Sequence, residues 1–173
     1  MPQNRTKNLV ILGLLIGLVT VATISIKVPV PATGGVIHVG DSLIFLAAIL
    51  FGRKKGAIAG GLGGFLADIL AGYGQWAIPT LIIKCLMGYT VGTIADGKGK
   101  QLINFRNIVA IIVGTLIMVT GYYIAGGFII GFNVAIAGIP WDILQGIGGG
   151  VIFFPIGLVL KKNRTFQSFI DGL

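Results

Sequence analysis

Apolar residues come in blocks about as long as a bilayer is thick, separated by short clusters of glycine, proline and basic residues. A helix needs about 20 apolar residues to cross roughly 30 Å of hydrocarbon. On that measure the pattern predicts an all-α integral membrane protein, a single transmembrane domain over 1–173. Its six helices fall at about 8–26, 40–52, 56–70, 76–95, 108–125 and 142–160. The second is short: at 1.5 Å per residue it covers only about 20 Å. It must be shielded by neighbours at one end or start below the interface. Between the first two spans, Lys27–His38 (KVPVPATGGVIH) has two prolines and two adjacent glycines and should not be helical. It reads as a loop, re-entrant in one version, that can lie over a pocket. The stretch Gly126 to Ile139 is apolar with one polar residue, Asn133, and the pattern assigns it no conformation.

The third block, GAIAGGLGGFLADIL, is organised differently from the rest. Gly56, Gly60 and Gly64 recur every four residues, and Asp68 takes the next place on that face. Such a row lets helices approach backbone to backbone. Here it ends in a carboxylate, which inside a span is costly and faces a partner, a cavity or a ligand.

Composition agrees with the pattern: 55% of residues are hydrophobic, 10% are charged, and 29 of 173 are glycine. The net charge of +8 does not indicate nucleic acid, because the basic residues sit between apolar runs without a patch of interleaved aromatics. The positive-inside rule accounts for them. The N-terminus, the turn after span 2, the loop after span 4 and the C-terminal segment hold 11 of the 13 basic residues. Lys27 alone lies on the opposite side, and Lys84 lies within span 4. Both termini are therefore expected in the cytoplasm. The first apolar run lacks a clear small-x-small cleavage site and reads as a retained helix. The single Cys85 allows no disulfide framework.

Candidate chemistry concentrates in the outer half. Asp68 and Lys84 come out at matching depths, each about 12 Å below the outer boundary. Burying either alone costs about 2.5 to 3.5 kcal/mol, so the sequence predicts that they pair. That pair is either a closed strut or part of a ligand site. Trp76, Thr80, Lys84 and Gly88 share a helical face. Asp142, with Trp141 before it and Gln145 one turn deeper, is either a cap or a ligand contact. Asp41 has the same ambiguity, and the cap is favoured there. His38 stands at the loop end, with no second histidine to build a metal site. Tyr122 and Asn133 also fall toward the outer side. Gly92–Lys98 (GTIADGK) imitates a phosphate-binding loop, but Gly99 follows where Ser or Thr should stand, and no strand precedes it. No nucleophile or metalloprotease motif is present, so no enzyme is expected.

The block from Ile37 to Gly97 (IHVGDSLIFLAAILFGRKKGAIAGGLGGFLADILAGYGQWAIPTLIIKCLMGYTVGTIADG) carries a resemblance. So does IPWDILQG, residues 139–146. Together they resemble the riboflavin-type group of substrate-binding (S) components of energy-coupling-factor (ECF) vitamin transporters. The resemblance implies a six-helix bundle in a prokaryotic cell membrane, with an outward-facing pocket for one vitamin or precursor. It implies as partners a transmembrane coupling (T) subunit and two cytoplasmic ATPases, which would use ATP and Mg. No cofactor is expected on this chain. Small residues on the first helix contact the coupling subunit in this family, typically alanines four apart. Gly13 and Gly17 are the nearest match here. His38 and Asp142 stand where asparagine is common in relatives, and both departures point away from riboflavin.

The expected substrate-binding set is His38, Asp68, Trp76, Thr80, Lys84, Tyr122, Asn133, Trp141, Asp142 and Gln145. Aromatic rings with a few placed acids suit a small heteroaromatic ligand such as hydroxymethylpyrimidine or a vitamin B6 form. Riboflavin and pantothenate are the alternatives within the same role. A ligand-free membrane scaffold is the alternative of another class.

Overall fold

The computed structural model describes residues 2–30, 35–97 and 101–171. Pro31–Gly34, within the expected loop, and Lys98–Lys100, which complete the phosphate-loop look-alike, lie outside the described residues. Helix α1 (Pro2–Ser25) leads into an antiparallel hairpin of β1 (Lys27–Val30) and β2 (Gly35–His38), with Lys27 opposite His38. Next come α2 (Gly40–Phe51), α3 (Arg53–Leu70), α4 (Gly74–Ile94) and α5 (Phe105–Gly126). A π-turn over Gly127–Gly131, the short α6 (Phe132–Ala135) and a 3-10 turn over Ile136–Gly138 carry the chain into α7 (Ile139–Lys162) and α8 (Arg164–Asp171).

Most helix boundaries follow from local chemistry. Gly52, at φ +90°, makes the whole turn between α2 and α3. Arg53, Lys54 and Lys55 therefore open α3 instead of closing α2, so α3 starts three residues earlier than the apolar pattern suggests. Asn104 caps α5 by accepting from the Asn107 N–H at 2.9 Å, which moves that start to Phe105. The proline-rich loop is a hairpin because its backbone groups pair with each other, which permits non-helical chain at this depth.

The glycine row has the function its spacing implies. A Cβ at Gly56 would stand 2.5 Å from the Ala48 backbone, one at Gly64 2.7 Å from Thr80, and one at Gly88 in the backbone of Gly56. With Gly60 against the Lys84 carbonyl and Gly61 against the Leu81 carbonyl as well, α3 and α4 approach backbone to backbone along this seam, and Gly56 admits α2 equally closely. On its other side α3 meets α1, where Thr20 Oγ1 donates to the Gly63 carbonyl at 3.0 Å.

Burial is reversed relative to a water-soluble domain. Leu14, Leu18, Ile82, Leu116, Val151 and Val159 are exposed, while Asp41, Lys84, Asn107 and Gln145 are buried. Three helical stretches, Arg5–Ser25, Gly74–Ile94 and the run through Phe105–Lys162, are long and apolar enough to cross a membrane. The buried apolar core, centred on Phe45, Met87, Met118 and Phe153, occupies the half nearer the basic residues. Phe51 meets Phe166 of α8 edge-on at 6.0 Å. Arg106 Nε donates to the Ile94 carbonyl at 3.1 Å. These contacts gather Arg53, Lys54, Lys55, Arg106, Lys161, Lys162 and Arg164 at one end. At the other end sit the hairpin, the Gly72 turn and the start of α7.

The seam predicts a sharp contrast between glycines. Gly88→Leu should destabilise the protein by about 1–3 kcal/mol or more, because the clash is with backbone. Gly148→Ala, which meets nothing within 4 Å, should be neutral. Thermal midpoints of the two purified variants in detergent check this.

Candidate functional site

The polar centre of the bundle is an ion pair that the sequence reading did not assign. Lys84 Nζ on α4 donates to Asp41 Oδ1 on α2 at 2.5 Å, with both side chains almost wholly buried. The expected pairing of Lys84 with Asp68 is therefore corrected, as is the expectation that Asp41 caps α2. The residue at the cap position is Val39, without a side-chain cap bond. Gln145 Nε2 on α7 donates to Asp41 Oδ2 at 2.9 Å. Gln145 Oε1 accepts from the His38 backbone N–H at 3.0 Å. Lys84 Nζ also contacts Met118 Sδ at 2.9 Å and lies 5.4 Å from the centre of the Tyr122 ring. One network thus joins α2, α4, α5, α7 and the hairpin.

Depth explains the partner choice. Asp41 is ten residues from Phe51, and Lys84 is ten residues from Ile94. Both stand about 15 Å above the basic end. Asp68 is fifteen residues from Arg53, about 22 Å up. Counting the three levels from the shared basic end would have found Asp41. The signal was the unusual shortness of the second span, which starts its first turn at the depth of Lys84.

Above this network lies a cavity of about 80 Å³ between the hairpin, α3, α4, α5 and α7. Of the expected residues, His38, Asp68, Trp76, Thr80, Tyr122, Trp141, Asp142 and Gln145 line it. Lys84 does not: it lies beneath the floor, committed to Asp41. Asn133 is exposed on α6 and is not in the wall, because the short α6 turns its buried residue, Ala135, toward the cavity instead. Gln145 reaches the cavity with both ends of its amide already used. The sequence reading missed the hairpin's own contribution, Val30, Val36 and Ile37, and also Ile130, while Tyr73, placed on the outer side but not in the expected set, lines the cavity too. Val36, Ile37 and His38 line the cavity consecutively, not in alternation, and two-strand pairing across a proline-rich loop is hard to infer from pattern alone.

Within the cavity, Thr80 Oγ1 and the Tyr122 hydroxyl share a hydrogen bond of 3.1 Å. Trp76 meets Tyr122 edge-on at 6.1 Å. His38 Nδ1 accepts from the Gly40 N–H at 3.2 Å. Burial away from water holds the imidazole down, to about 4, against the opposing pull of Asp41. The ring is therefore neutral at physiological pH, with its proton on Nε2. Asp68 Oδ2 is buried without a hydrogen-bond partner among the described residues. Asp142 lies in the first turn of α7, whose cap position is Gly138, not Asp142.

The ion pair predicts a distinctive stability pattern. Asp41→Asn or Lys84→Met alone leaves a buried charge without its partner and should cost about 3–5 kcal/mol. The double variant should lose clearly less than the two single losses combined. Denaturation of the three variants in one detergent reads the coupling directly.

The sequence model of the "ECF-type riboflavin transporter, S component" family matches residues 3–162. A Pyrococcus woesei protein described as "uncharacterized protein in gap 3'region" is 38% identical over 145 residues, 84% of this chain and 95% of the relative. The "thiamine precursor transporter HmpT" of Lactococcus lactis subsp. cremoris (strain MG1363) is 30% identical over 170 residues, 98% of this chain and 96% of the relative. With a family match over almost the whole chain, and a fold of apolar helices around a polar cavity, the protein belongs to the S components of ECF-type vitamin transporters.

Proposed function

We propose that this S component binds hydroxymethylpyrimidine, the pyrimidine half of thiamine, and presents it for ATP-driven uptake. The cavity is the observation that carries the reading. A buried water needs at least about 10–15 Å³ of such space, so the cavity holds the equivalent of about five to eight waters. That suits one substituted ring and is small for the three fused rings and ribityl chain of riboflavin. Trp76, Tyr122 and Trp141 offer faces and edges for a planar ring. Asp68 and Asp142 accept from ring amino or hydroxyl groups. The Nε2–H of His38 is a donor for a ring nitrogen or hydroxymethyl oxygen. The HmpT relative, a thiamine precursor transporter by name, supports the same choice.

The reading extends to topology and partners. The six helices α1–α5 and α7 cross the membrane, with both termini and the basic end in the cytoplasm. The cavity then faces outward. A coupling subunit and two ATPases supply energy, and α1 offers them a smooth contact face. Gly13 and Gly17 are exposed, and a Cβ at either would meet nothing within 4 Å.

Two outcomes test these assignments. Hydroxymethylpyrimidine should raise the thermal midpoint of the purified protein and appear as a bound mass in native mass spectrometry, whereas riboflavin and pantothenate should do neither. Tight binding of riboflavin or pantothenate with no pyrimidine binding overturns the ligand choice. Replacing Gly13 and Gly17 by leucine should leave ligand affinity within about twofold, because the fold has room for the side chains. The same change should abolish cellular uptake and co-purification with the coupling subunit, and unchanged uptake would remove α1 from the contact.

A further inference from the structure

Two carboxylates line the cavity, and neither forms an ion pair among the described residues. Asp68 stands on α3 and Asp142 on α7. These helices share no substantial packing interface, so the cavity separates the two acids. Asp68 Oδ2 has no hydrogen-bond partner among the described residues, although the Thr80 hydroxyl interacts with the same carboxyl group. Asp142 forms no ion pair among the described residues, and the start of α7 lends it only the partial positive charge of a helix end.

The remaining charged and titratable groups around the cavity do not neutralise these acids. His38 is a neutral imidazole whose Nδ1 already accepts from Gly40. Tyr73 and Tyr122 bring hydroxyl groups, not cations, to the wall. Lys84, beneath Tyr122, is committed to Asp41. Lys27 is exposed at the mouth, 5.7 Å from the centre of the Tyr73 ring. Carboxylates held away from water in a membrane are costly until a cation reaches them. Paired N–H donors on a charged planar group make the strongest hydrogen bonds to carboxylates. The faces of Trp76, Tyr122 and Trp141 attract the same cation.

We propose, resting on the ligand site described above, that the cavity selects by charge. It takes a small ring carrying one delocalised positive charge with donors on two edges, as an aminopyrimidinium does, and it rejects phosphorylated or carboxylated molecules of similar size. One carboxylate balances the ring charge and the other accepts from the opposite edge.

Titration calorimetry on the intact purified protein tests the rule with three probes on one scaffold. These are 4-amino-5-hydroxymethyl-2-methylpyrimidine, its 4-oxo counterpart and its phosphate monoester. The oxo compound should bind about tenfold or more weakly, and the phosphate about 100-fold or more weakly. Asp68→Asn and Asp142→Asn should each weaken the amino compound about tenfold and shrink its preference over the oxo compound. Equal binding of the three probes by the unaltered protein overturns the proposal. So does an unchanged amino preference in both folded variants, and if a variant does not fold, the probe series on the unaltered protein still decides. If the amino compound does not bind at all, the choice of hydroxymethylpyrimidine fails separately. The charge rule then rests on the small molecule that co-purifies: a cationic ring supports it, and riboflavin or pantothenate overturns it.

Discussion

The Lys84–Asp41 pair constrains everything around it. An ammonium and a carboxylate in the middle of a membrane bundle are tolerable only if they meet and their remaining hydrogen-bonding capacity is used. Asp41 Oδ1 takes Lys84 and Oδ2 takes Gln145, which fixes α2, α4 and α7 at one level. The other end of the Gln145 amide holds the backbone of His38, so the hairpin is tied to the same point. The glycine seam lets α3 lie against α4 closely enough that Gly60 packs on the Lys84 backbone. With bulkier residues there, α3 would stand farther off and the wall carrying Asp68 would move away from the cavity. The packing of small residues and the placement of charge are therefore one arrangement seen from two sides.

Much of this was legible in the amino-acid pattern because a membrane leaves few choices. Backbone groups in hydrocarbon must be satisfied within a helix or by pairing, so apolar blocks become helices and a proline-rich interruption becomes something else. The row Gly56–Gly60–Gly64 gave a close seam because side-chain volume sets how near helices approach. Partner identity was not legible in the same way. Asp68 and Lys84 match in depth only for an α3 that begins at Gly56, whereas it begins at Arg53. Once Gly52 turns the chain in one residue, α3 gains a turn and Asp68 rises above the ammonium. Asn133 failed for a related reason: the π-turn from Gly127 to Gly131 rotates α6 by an amount that no periodicity encodes.

The same geometry divides the polar residues by what they can still do. Lys84, Asp41 and Gln145 are tied to each other, to Met118 and to the His38 backbone, and a ligand could recruit them only by breaking buried contacts. Asp68, Asp142 and His38 keep unspent capacity above that floor. A wall with fixed chemistry below and free acceptors above reads its ligand from the outer half only. Two chains sharing the floor could therefore accept different rings by changing a few wall positions without disturbing the bundle. His38 is the delicate case, because its backbone N–H holds the floor while its side chain belongs to the wall. A substitution there alters recognition through the ring but leaves the Gln145 bond in place, since any residue other than proline supplies the same N–H. Specificity can thus vary at a position that is structurally anchored, and the anchor is main chain.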